Sequence, residues 1–128
     1  MAVGLGTTTL ANNWLNMLRG TAFTAPAATY VKLHTGDPGA TAAANASAVT
    51  TRSQLTLAVA SGGAVALTGT QPSWSMTTSE TISFISVWDA TTAGNFLWSA
   101  QLAVAKTVAN GDTLTLTTCG LSLSPLAA

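Results

Sequence analysis

Beyond residue 28 the chain breaks into short runs in which apolar and polar side chains alternate, each closed by Gly, Asn, Pro or Ser. A period of two puts one set of side chains on one face of an extended strand, so these runs predict β-strands rather than helices. Residues 28–35, ATYVKLHT, set Val31 and Leu33 against Tyr30, Lys32 and His34. QLTLAVA (54–60) carries Leu55, Leu57 and Val59 on one face, and Ser61-Gly62-Gly63 turns it back into AVALTG with Val65 and Leu67 inward, a hairpin. TISFISVWD (81–89) is apolar on both faces, as a central strand is. Ala93-Gly94-Asn95 leads into FLWSAQL, and Asn110-Gly111-Asp112 into TLTLTT. Strand-length runs separated by turn signals predict a mainly β fold, an antiparallel β-sandwich of jelly-roll-like type, with no βαβ alternation.

Only the beginning departs from this pattern. TLANNWLNMLR (9–19) spaces Leu10, Trp14, Met17 and Leu18 at i, i+4, i+7 and i+8, and Gly20 follows as a stop. That spacing predicts one short N-terminal α-helix over about residues 9–19 that must pack on something to persist. Residues 36–51, GDPGATAAANASAVTT, are small and polar with no sustained period, which predicts a long surface loop or arm. At 128 residues the whole chain, 1–128, reads as one domain.

Charge narrows the function classes. Only 6% of residues are charged and the net charge is zero, against roughly 25% in an ordinary soluble domain. A free monomer of this kind has little repulsion to keep it dispersed, so assembly is expected. The four basic residues, Arg19, Lys32, Arg52 and Lys106, are scattered, which argues against nucleic acid as a partner. The uncharged stretch between Arg52 and Glu80 is broken by Gly, Pro, Ser and Thr and does not read as a membrane span. The N-terminus has neither the basic nor the long apolar region of a secretory signal. Cys119 is the only cysteine and excludes an intrachain disulfide.

The one stretch that invites a catalytic reading is YVKLHTGDPG, with the only histidine three residues before Asp37. A His–Asp dyad needs a nucleophile on a strained elbow and an oxyanion hole, and no GxSxG, P-loop or GxGxxG pattern occurs. His34 and Asp37 are therefore read as a strand end and a structural turn, the carboxylate accepting a backbone N–H. One His, one Cys and four scattered carboxylates make no recognisable metal set. No catalytic, cofactor-binding or metal-ligating residue is expected. Asn45-Ala46-Ser47 matches a glycosylation sequon but has no secretory signal beside it.

YVKLHTGDPGA, Arg52 at the head of a strand, ETISFISVWDATTAGNFLWS and NGDTLTL together resemble a group of small tailed-phage virion proteins, of the type met in actinobacteriophages and labelled minor tail, tail-fibre-like or capsid decoration. The resemblance runs from the helix to the last strand. It implies a β-rich module on the particle exterior, made in the host cytoplasm, with no catalytic residues to carry over. The absence of a long repetitive shaft favours a non-enzymatic capsid decoration (minor capsid, cement) protein on the capsid exterior. The alternative is a tail or tail-fibre component that binds a host receptor or glycan, with Trp74, Trp88 and Trp98 as stacking platforms. The expected partners are the major capsid protein or other virion proteins, and further copies of the chain, a trimer in particular. The expected interface comprises Gly36, Asp37, Pro38, Gly39 and Asn45 of the arm, with Trp74 exposed or interfacial and Trp88 in the core.

Overall fold

Strand β5 (Glu80–Trp88) is an interior strand in the computed structural model, which describes residues 3–123. It pairs antiparallel with β1 (Thr29–His34) on one side and β6 (Phe96–Val108) on the other. Strand β2 (Ser53–Leu55) lies outside β1, giving the order β2-β1-β5-β6. Two antiparallel ribbons accompany this sheet: β3 (Ala64–Ala66) with β8 (Gly120–Ser122), and β4 (Ser73–Ser75) with β7 (Thr113–Thr115). The chain is mainly β with a short N-terminal helix, as its patterning predicts, arranged as one four-stranded sheet and two ribbons.

The strands bury their apolar side chains in one core. Val31 and Leu33 of β1, Ile82, Ile85 and Val87 of β5, Leu97 and Trp98 of β6, and Leu55 of β2 form one buried cluster with Trp74 and Met76. Each such side chain contributes about 1.5–3 kcal/mol on leaving water. The Ser61–Ala64 turn forms as expected, with Ala58 N donating to Ala66 O at 2.9 Å and Leu57 bridging Leu67. Leu55 is buried, Leu57 is half-buried and Val59 is 93% exposed, because pairing with β1 stops at Leu55 and the hairpin then leaves the sheet.

The helix differs from its sequence pattern in its last turn. A π-helical turn, Thr7–Ala11, precedes α1 (Asn12–Met17), with the Asn12 amide reaching Thr7 O. Leu10 is buried and Trp14 packs on the core, whereas Met17 and Leu18, expected on the same face, stand out in solvent with Leu15. Gly20, at φ +84°, ends the helix, its amide bonded to Met17 O at 3.1 Å.

Ahead of the helix, residues 4–6 lie as a strap along the outer edge of β6. Gly6 N donates to Leu97 O at 2.6 Å and Ser99 N to Gly4 O at 2.8 Å. The backbones are so close that a Cβ on Gly6 would sit 2.6 Å from Phe96 O. Beyond Ser99 no backbone hydrogen bond among the described residues reaches this edge. There β6 bulges: Phe84 faces Gln101 while Ile82 faces Lys106, so the four residues 102–105 stand opposite Ser83 alone, and Val104 is 80% exposed. A groove of about 710 Å3 runs between this edge and the β7–β8 segment, reaching Leu33, Trp74 and Ile85.

The close approach at Gly6 predicts the cost of filling it. Gly6→Ala should lower the unfolding free energy by about 1–3 kcal/mol in urea denaturation. Unchanged stability would mean that the strap moves off β6 without cost.

Candidate functional site

The alternation in β1 places His34 on the face away from Val31 and Leu33, and a solvent-facing strand end would be its ordinary fate. Instead His34 is fully buried, because residues 36–51 fold back along β1. Thr35 N donates to Asn45 O at 2.8 Å, Ser47 N to Leu33 O at 3.1 Å, and Ala46 forms an antiparallel bridge with His34. The His34 ring closes the arrangement, with Nδ1 2.9 Å from Ala44 O and Nε2 2.7 Å from Ser86 Oγ. A carbonyl can only accept, so Nδ1 carries the proton and Nε2 accepts from the Ser86 hydroxyl. Ser86 Oγ accepts in turn from Trp88 Nε1 at 2.8 Å. The polar side-chain atoms of His34, Ser86 and Trp88 are all satisfied with a neutral imidazole.

A serine hydroxyl on a histidine nitrogen is also the first link of a nucleophile–base pair. Here both side chains are 0% exposed, and the partner of Nδ1 is a backbone carbonyl rather than a carboxylate. No substrate can reach Ser86 Oγ without unfolding the loop. Asp37 does not complete a dyad with His34, whose two nitrogens are both engaged elsewhere. Its Oδ1 accepts Gly39 N at 2.9 Å across the Pro38 turn, the structural role the sequence indicates. Burial pushes the His34 pKa below its ordinary value. Lys32 adds to that fall, while the bond to Ala44 O opposes it.

The remaining carboxylates also hold backbone. Glu80, at the start of β5, reaches across to the loop. Its carboxylate accepts the Ser47 hydroxyl and the Ala48 amide, while Ser47 Oγ accepts Val49 N at 3.0 Å. Asp89 Oδ1 accepts Asn95 N at 2.7 Å and Oδ2 accepts Asn95 Nδ2 at 2.8 Å. Asp112 Oδ2 accepts Ala109 N at 2.9 Å and closes the turn before β7. Arg52 stacks 3.9 Å over the Trp88 ring and gives Nη1 to Ala90 O and Ala93 O, both at 2.7 Å. Among the described residues no group of three or more His, Cys, Asp or Glu side chains could hold a metal ion. No helix among them is long and apolar enough to cross a membrane. Burial raises the Cys119 pKa, which keeps the thiol protonated.

The expected interface residues separate into two groups. Gly36, Asp37 and Gly39 lie partly exposed on the turn and Asn45 is exposed, its Nδ2 donating to Asp37 O at 2.8 Å, whereas Pro38 is buried. Trp74 is not exposed. It is 4% accessible, faces Leu114 across β4–β7, and donates Nε1 to Thr51 O at 3.0 Å. The pattern that could have placed it is the alternation of Pro72, Trp74 and Met76, all buried, with Gln71, Ser73 and Ser75, all exposed. Trp98 is buried as well. Trp88 is half-buried between the Arg52 guanidinium and Phe96, whose ring centroid is 5.8 Å away.

A family profile described as podophage GP4 fiber I protein gp80 matches residues 6–124, nearly the whole chain from the strap onward. The chain belongs to this family. As a member of the gp80 fibre family it is a phage virion protein of fibre type, and its side-chain use as backbone clamps is that of a structural protein. The resemblance to tailed-phage virion proteins holds at this level. The preference for capsid decoration does not, because the family speaks for the tail-fibre alternative. A search of curated proteins returned no match.

The His34 chain predicts a pH dependence whose sign is fixed. A histidine whose folded pKa is depressed adds stability that is full above the unfolded value of about 6.5 and is lost as pH falls toward the folded pKa. Urea denaturation should therefore show falling stability from pH 7.5 to 5, with a flatter profile for His34→Gln. Parallel profiles would remove His34 from the account. Trp74→Ala should cost about 3–5 kcal/mol, and a near-neutral effect in the same assay would contradict its burial.

Proposed function

We propose that the chain is a structural subunit of a phage fibre, acting through contacts with neighbouring virion subunits rather than by chemistry. Family membership over residues 6–124 is the observation that carries this reading. The surface supports it. Leu18 is 87% exposed on the helix, Val59 93% on the hairpin and Val104 80% on the β6 bulge, and Lys106 is the only charge on β6. An unpaired strand edge with so little charge pairs with another chain unless it is protected. With a net charge of zero, a second copy of the chain meets no net repulsion there.

A closed homo-oligomer follows as the expected state. The trimer expected from the sequence is one such closed state. The outer side of the 36–45 turn, with Asp37, Gly39 and Asn45, remains the proposed contact with neighbouring subunits. Its inner side is already occupied by β1.

Two measurements test this. Immunolabelling and mass spectrometry of purified virions should place the chain on an appendage, at a low copy number set by that appendage's symmetry. Hundreds of copies spread over the capsid would restore the decoration reading. Sedimentation analysis should show an oligomer that Val104→Asp or Leu18→Asp weakens. These exposed substitutions should change monomer stability by no more than about 0.5 kcal/mol. A wild type that stays monomeric at high concentration would sink the self-association.

A further inference from the structure

The turn between β5 and β6 is braced far beyond what a surface connection needs. Asp89 holds Asn95 at two points, Arg52 bonds the Ala90 and Ala93 carbonyls, and Gly94 sits at φ +73° where a Cβ would meet Ala90 Cβ at 2.7 Å. Binding constellations are held in this way, on rigid elements with supporting hydrogen bonds. Beside the turn lies a pocket of about 360 Å3, shared by the start of the helix and the segment 22–26. That volume is at the lower end of the range of about 300–1,000 Å3 for small-molecule sites, enough for one small ring.

The lining defines what such a ring must be. Phe23, half-buried against the core, supplies an aromatic surface, with Leu97 and Pro26 beside it. The polar groups around it are amides, hydroxyls and one carboxylate, with hydrogen-bonding capacity to spare. Asn13 spends an Nδ2 proton on Thr9 O and Asn95 one on Asp89 Oδ2, which leaves both amide carbonyls free to accept. The hydroxyls of Thr8 and Thr24 take no partner among the described residues. No lysine, arginine or histidine lines the pocket, so an anion finds no counter-charge. Arg52 lies close enough to Asp89 to feel its charge, and the single carboxylate is not a cation site. An apolar ligand would leave these polar groups desolvated and unpaired.

We propose that this pocket binds a neutral sugar ring, its hydroxyls bonded by Asn13, Thr24, Asp89 and Asn95 and its apolar C–H face laid on Phe23. A pyranose combines the two surfaces the pocket offers, a ring of hydroxyl donors and acceptors and a patch of C–H groups. The proposal does not rest on the fibre reading: a virion position elsewhere would leave it standing, and its failure would leave family membership untouched.

Saturation-transfer NMR and calorimetry on the full chain test it, with neutral hexoses and N-acetylhexosamines as probes and glucuronate and inorganic phosphate as anionic controls. Neutral sugars should bind, with saturation strongest on the C–H face. Asn13→Ala and Thr24→Val should each weaken binding at least threefold, and Phe23→Ala at least tenfold. Phe23 also touches the core, so Phe23→Tyr, which keeps the ring, should retain binding. Absence of binding by every neutral sugar, tighter binding of the anions, or sugar binding unmoved by the Asn13 and Thr24 variants would each overturn the proposal.

Discussion

The hydrogen-bond chain from the Ala44 carbonyl through His34 to Ser86 and Trp88 decides which residues of this protein are inside. The ladder of β1 and β5 buries Val31, Leu33, Ile85 and Val87 on one face, as any amphipathic sheet would. On the other face His34 and Ser86 would be exposed polar residues if nothing lay over them. Residues 36–51 do lie over them, and the histidine is what makes that burial tolerable, since each of its nitrogens finds a partner of the correct type. Glu80 fixes the far end of the same segment through Ser47 and Ala48. A partly satisfied network of this kind would cost more than it contributes, so the loop and the ladder stand or fall together.

The scarcity of charge acquires a second meaning in the structure. The carboxylates of Asp37, Glu80, Asp89 and Asp112 each accept a backbone amide, and Arg52 donates to two backbone carbonyls. These side chains serve as fasteners for loops and turns. What is left on the outside is a surface of threonine, serine and alanine with isolated exposed Leu and Val, suited to contact with other subunits and matched to a fibre-type virion protein.

Much of this was legible in the sequence where the controlling contacts are local. The two-sided apolar pattern of residues 81–89 marks an interior strand, and Asp-Pro-Gly marks a turn whose carboxylate bonds Gly39 N. The hairpin at Ser61–Ala64 and the turn at Asp112 are local in the same way. What escaped depends on partners distant in the chain. Trp74 is buried because β4 pairs with β7, some forty residues later, and because Thr51 accepts its indole N–H. Residues 36–51 have no hydrophobic period, since they are held by backbone bonds and the His34 and Glu80 side chains, which leave no trace in an apolar pattern. The spacing marks the apolar face of the helix but not where the body beneath it ends, so Met17 and Leu18 escaped. The polar pocket joins three separate segments and has no motif. Low charge and a β pattern do not by themselves separate capsid from fibre proteins, so composition could not show the fibre-type family, which the family match does.

The claim on which all of this turns is that residues 36–51 are part of the folded body of the isolated chain. Amide hydrogen exchange by NMR on the free protein measures it directly at Thr35, Ser47, Ala48 and Val49, whose N–H groups bond Asn45 O, Leu33 O, Glu80 Oε2 and Ser47 Oγ. These four amides should exchange slowly, Thr35 and Ser47 at rates close to those within β1 and β5. Exchange of all four at the rate of an unstructured peptide would show that the segment is a free arm. His34 would then be open to solvent, and the account of how this chain holds itself together would be wrong.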